Sequence, residues 1–157
     1  MTMIRGFLAW VVRFIEGIPL ISRRMIFVIY GIALIVGTHY PRLRLGSGII
    51  FSPDKILHVA AFGGLVFLMM VSQWFCDTRT HHEKDLIFNT RNILWSGLVA
   101  CMWGGVTEVT QQLFVPGRQA NGWDVLCNVI GVGGAVGVGF MLGGWAGDEG
   151  IAHEHEK

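Results

Sequence analysis

Residues 92–115 read NILWSGLVACMWGGVTEVTQQLFV. The stretch is long and apolar enough for a membrane-spanning helix, for which about 20 residues suffice. It nevertheless carries Glu108, Gln111 and Gln112 toward its C-terminal end. Ionisable groups are costly in lipid, so inside a span they face a bundle interior and mark a site or a structural bond. Gly104 and Ala100 stand one and two turns before Glu108 on the same helical face. Small residues let a neighbouring helix approach, which turns the Glu108 face toward protein. Pro116-Gly117 closes the stretch.

Outward from this segment the same texture recurs. Further apolar runs cover about 25–40, 55–75 and 123–145, separated by the polar loop 76–91 and closed by a short acidic tail from Gly147 to Lys157. The composition agrees: 52% hydrophobic and 15% charged, against about 25% charged in soluble domains. Twelve basic and eleven acidic residues leave a net charge of +1, so nothing suggests a nucleic-acid surface. Three cysteines without a CxxC pair support neither a zinc knuckle nor a disulfide framework. Met3 to Leu20 has an apolar face (Phe7, Leu8, Trp10, Val11, Phe14, Ile15, Ile18) broken by Arg5, Arg13 and Glu16, and no cleavage pattern follows. It reads as an interfacial helix.

The expected fold is therefore all-α: an integral membrane bundle of four transmembrane helices in one domain, residues 1–157. Residues 1–22 form the interfacial helix, 24–146 the bundle and 147–157 a cytoplasmic tail. With the N-terminus inside, eight basic residues lie on the inner side and four (Arg42, Arg44, Lys55, Arg118) on the outer. That favours an N-in, C-in protein of a bacterial inner membrane.

In such a chain the first and third connections share a side. Asp54, Lys55 and His58 enter from the first; Arg118 lies in the third, with Asp124 and Asn128 after it. Glu108 lies about 10 Å below the same surface at 1.5 Å per residue. Asp54 and His58, like Asp124 and Asn128, are spaced i and i+4 and so share a helix face. The last span holds seven glycines, including the GxxxG pair Gly133 and Gly137, a pattern for tight helix contact.

These motifs together resemble the VanZ-like membrane family. The residues that carry it are D-K-x-x-H at Asp54 to His58, E-x-x-Q from Glu108, P-G-R at Pro116 to Arg118, and D-x-x-x-N-x-x-G from Asp124 to Gly131. Both Gln111 and Gln112 suit the family's glutamine position. The resemblance covers about residues 54–139. It implies a role linked to the cell envelope and to teicoplanin-type glycopeptide resistance, and brings no established reaction.

Several functions fit these residues. In the first, Lys55 and Arg118 hold the phosphate or carboxylate of an amphipathic envelope lipid, glycan or glycopeptide. His58 and Glu108 then act as general acid and base, with Asp54, Gln111, Gln112, Asp124 and Asn128 as binding groups. In the second, His58 and Glu108 carry protons for transport in an oligomer. In the third, the cluster only braces an accessory subunit of a larger membrane complex. A fourth places a divalent metal, zinc or manganese, on Asp54, His58, Glu108 and Asp124. The assignment retained names no metal, no cofactor and no nucleic acid, and leaves open whether the chain is an enzyme. Its partners are membrane lipids and an envelope ligand.

Plainer uses stand beside these. Asp54 complements the dipole of a helix start, Lys55 snorkels to headgroups, and the buried amides bond between helices.

Overall fold

A computed structural model describes the backbone of residues 2–39, 53–76, 87–115 and 122–154, and side chains within 6–39, 55–76, 87–115 and 122–144. Among the described residues it is all-helical: α1 (Thr2–Glu16), α2 (Leu20–His39), α3 (Pro53–Val71), α4 (Thr90–Phe114) and α5 (Gly122–Glu154). α2, α4 and the segment Gly122–Gly144 of α5 are long and apolar enough to cross a membrane. The protein is thus of the multi-pass membrane class. The apolar part of α3, Lys55–Val71, is shorter.

α3 occupies the middle of the bundle. Phe62, Leu65, Val66 and Met70 along it are buried and pack with Ile93 and Ala100 of α4 and Val132 and Leu142 of α5. The outward faces of the other helices are apolar: Ile29, Ile32 and Val36 on α2, Met102, Val106 and Val109 on α4, and Ile130 and Met141 on α5 are all exposed. A water-facing surface of that kind would be an aggregation site, whereas hydrocarbon is its natural solvent.

Paired positions give the helix directions. The Tyr30 hydroxyl donates to the Ala61 carbonyl at 2.9 Å, and Arg23 reaches Val71, so α2 and α3 are antiparallel. Gly131 lies against Val59 and Gly63, and Gly139 against Met70, so α5 runs parallel to α3. Gly97 meets Val136 and Gly104 meets Asn128, so α4 is antiparallel to α5. The C-termini of α2 and α4 therefore share one end of the bundle with the N-termini of α3 and α5.

The tight contacts of α5 are made by Gly131, Gly139 and Gly143. A Cβ at these positions would strike the Val59 carbonyl, the Met70 sulfur and the Phe88 carbonyl, respectively. Gly133 and Gly137, the GxxxG pair expected to carry the packing, have nothing within 4 Å. The motif identifies glycines at helical spacing but not which face meets a neighbour. Gly131, Ala135, Gly139 and Gly143, each four residues apart, form the face that does.

Two boundaries also differ from expectation. α5 continues to Glu154, so most of the presumed tail is helix; nothing between Gly147 and Glu154 supplies a proline to stop it. α2 begins at Leu20 rather than near Met25, because Arg23 and Arg24 are held inside its first turns by carbonyls at the end of α3: Arg23 Nη1 donates to Val71 O at 3.1 Å and Arg24 Nε to Ser72 O at 3.4 Å. α1 packs on α5. Its apolar face divides: Leu8, Val11 and Ile15 join the core, while Phe7, Trp10 and Phe14 form an exposed stacked row.

Candidate functional site

At the end shared by the C-termini of α2 and α4 and the N-termini of α3 and α5, His58, Glu108 and Asn128 stand five or six residues inside their helices. That depth is about 8–9 Å at 1.5 Å per residue. Asp124 lies nearer the surface, in the first turn of α5. All four side chains are buried, between 4% and 7% exposed. They come together because each helix presents a small residue to its neighbour beside them. Gly104 of α4 lies against Phe62 and Asn128, and Gly131 of α5 lies against the α3 backbone at Val59. A close α3–α5 approach thus lies within a turn of both His58 and Asn128.

His58 Nδ1 and Asn128 Oδ1 are 2.9 Å apart. A carbonyl oxygen only accepts, so Nδ1 carries the hydrogen, and in the neutral ring Nε2 keeps its lone pair. Asn128 thereby sets the tautomer and orientation of His58. A ring nitrogen of His58 and one carboxylate oxygen each from Glu108 and Asp124 lie within 4.8 Å of one another. Two carboxylates so close and so buried depend on compensating partners, because burial disfavours their charged forms.

Gln111 is fully buried, and neither amide atom has a hydrogen-bond partner among the described residues. It lies two turns beyond Gly104 on the same line of α4, the line that faces Phe62 of α3 and Asn128 of α5. Asn128 Nδ2 is likewise buried without a partner. Gln112 is exposed on the outer side of α4. Both glutamines were sequence candidates, since three and four residues after Glu108 both fall near its helical line; burial separates them, Gln111 turning inward and Gln112 outward.

Lys55 is half-buried at the rim, its Nζ 5.5 Å from the centre of the Trp123 ring, a cation–π contact joining the starts of α3 and α5. The side chains of Asp54 and Arg118 lie outside the described residues. One group escaped the sequence reading. His39, the last residue of α2, places Nε2 3.0 Å from Thr110 Oγ1, one residue before Gln111. Its only sequence signal was a histidine at the end of an apolar run, on the same side as His58.

No family model matches the chain, and no match was found among the curated proteins or the solved structures. The VanZ-like resemblance therefore rests on the motif residues themselves.

Proposed function

We propose that this chain is a four-span, VanZ-like inner-membrane protein, with α3 as the fourth span and the His58 end in the outer leaflet. Its polar centre binds the anionic headgroup of an amphipathic envelope lipid or glycopeptide. The observation that carries this reading is the gathering of His58, Glu108 and Asp124 from three helices into one buried cluster in a bundle whose outward faces are apolar. A cluster that runs from Asp124 near the helix ends to His58 and Glu108 about 8–9 Å inside suits a molecule whose headgroup reaches inward while its chains stay in lipid. Lys55 at the rim and Arg118 in the α4–α5 connection supply positive charge for a phosphate or carboxylate. Below them, the Nε2 lone pair of His58 and the carboxyl of Glu108 form an acid–base pair able to exchange protons with the ligand.

The test is native mass spectrometry of detergent-purified protein with phosphatidylglycerol, a polyprenyl phosphate or phosphatidylethanolamine. The anionic lipids should be retained and the zwitterionic lipid lost. Arg118→Gln and Lys55→Gln should each weaken retention about tenfold, the equivalent of 1.4 kcal/mol. Equal retention of all three lipids would remove the proposal. Glu108→Gln should stay folded and lose any turnover of the bound lipid, because the isosteric amide keeps hydrogen bonding but not proton exchange.

A further inference from the structure

Cores of membrane bundles hold buried polar groups for two reasons: to bond helices together or to hold something. The cluster has the parts of the second kind. His58 contributes nitrogen, Glu108 and Asp124 contribute oxygen, and the three are set on three different helices. Each is at least nine-tenths buried. The histidine is already oriented by an amide at Nδ1, which leaves Nε2 as the ring nitrogen that would meet an ion. One imidazole and two carboxylates form a mixed nitrogen–oxygen set suited to zinc or manganese.

The spacing is compatible with loading. Tetrahedral ligands at about 2.1 Å from an ion stand about 3.4 Å apart, and the three ligand atoms here lie within 4.8 Å of one another, so loading requires them to draw together by an ångström or so. An independent observation points to a ligand there as well. Asn128, bonded to His58 through Oδ1, has a buried Nδ2 with no partner, and Gln111 is fully buried with neither amide atom bonded among the described residues. Unpaired buried amides are costly, about 1–3 kcal/mol each. An ion with three protein ligands keeps positions for water or an oxyanion, and oxygens there would receive the Asn128 and Gln111 N–H groups.

We infer that His58, Glu108 and Asp124 hold one divalent cation of the zinc or manganese type, whose open position takes an oxygen of the headgroup while Gln111 and Asn128 donate to it. The cation site stands on its own residues; the identity of the oxygen donor rests on the reading of the centre as a headgroup site. In the loaded state His58 and Glu108 are ligands rather than a free base and acid, and the charge drawing the anion inward is the ion's.

The experiment uses untagged full-length protein with His81, His82, His153 and His155 all changed to Gln, which removes the loop and tail histidines as adventitious ligands. The protein is stripped with chelator, exposed to Zn²⁺ or Mn²⁺, gel-filtered, and its metal content measured by plasma mass spectrometry. About one ion per chain is expected. His58→Gln and Asp124→Asn in the same background should each lower occupancy at least tenfold, with folding followed by a thermal melt. The Mn²⁺-loaded parent should also show spin-echo modulation from a histidine nitrogen, a readout that needs no site variant to fold.

A folded parent that takes up no ion overturns the inference, as does bound Mn²⁺ without nitrogen modulation or full occupancy in a folded His58→Gln protein. Phosphatidylglycerol retention is measured on stripped and loaded samples. An ion without lipid in either sample leaves the cation site and removes the headgroup reading. Lipid retained by a protein that takes no ion does the reverse.

Discussion

The two ends of the bundle give their buried polar residues different partners. At the end where α2 begins and α3 finishes, Arg23 and Arg24 bond the carbonyls of Val71 and Ser72. Asn92 Nδ2 donates to the Met70 and Ile87 carbonyls, each at 2.7 Å. Asn89 caps α4 by accepting from Asn92 N at 2.8 Å. Side chains there satisfy main-chain groups that a helix end leaves open. At the other end His58 bonds Asn128, two carboxylates crowd the same space, and Gln111 bonds nothing among the described residues. The contrast teaches that a polar residue in a span is not a functional signal by itself. What it bonds to separates the two: Arg23 and Asn92 reach backbone carbonyls, although Arg23 Nε and Asn92 Oδ1 also lack partners among the described residues, whereas His58 bonds another side chain.

The largest effect that would break this comparison comes from the contact supporting the ligand end. Gly131→Leu puts carbon where the Val59 carbonyl stands. Overpacking against side chains costs about 1–3 kcal/mol, and backbone gives way less readily. A cost at or above the top of that range is expected, with loss of the monodisperse peak in size-exclusion chromatography. A fully stable Gly131→Leu protein would mean that α3 and α5 do not meet there.

Next comes a matched pair of amides. Asn92→Leu removes two hydrogen bonds and strands their carbonyls, so it should destabilise by about 2–3 kcal/mol and leave lipid and metal binding intact in the folded fraction. Gln111→Leu should do the opposite. It deletes an amide without a partner, so thermal stability should hold or rise by about 1 kcal/mol while headgroup retention falls. If both variants lose stability equally, the two ends are alike and the ligand reading of Gln111 is lost.

The smallest effect should come from Gly137→Leu, where nothing lies within 4 Å. A change within about 0.5 kcal/mol, as for an ordinary surface position, is expected in a melt. A collapse there would instead place the helix contact on the GxxxG pair.

Much of the site was legible before the fold. His58, Glu108, Asp124 and Asn128 stood out because charge and amide groups inside apolar runs are costly enough to need a reason, and helical spacing put them in the same half of the bundle. Alternation of spans, which returns the chain to the same side every second crossing, brought them to one end. The choice between Gln111 and Gln112 stayed open because adjacent residues look alike until the facing side of α4 is known. Arg23 and Arg24 read only as topological charges, since nothing local reveals that their partners are carbonyls 48 residues away.

Composition and periodicity by themselves thus determined an all-helical chain of the membrane class, with polar groups in the same half of the bundle. These properties follow from the local cost of burying charge and from helix pitch, which act along one segment at a time. Only the tertiary structure decided which glycines carry the contact and which glutamine turns inward. It alone made Asn128 the partner that orients His58, and made Arg23 and Asn92 braces rather than ligands. Each of those is set by the rotation of one helix against another, and that angle is written in the packing of several segments at once.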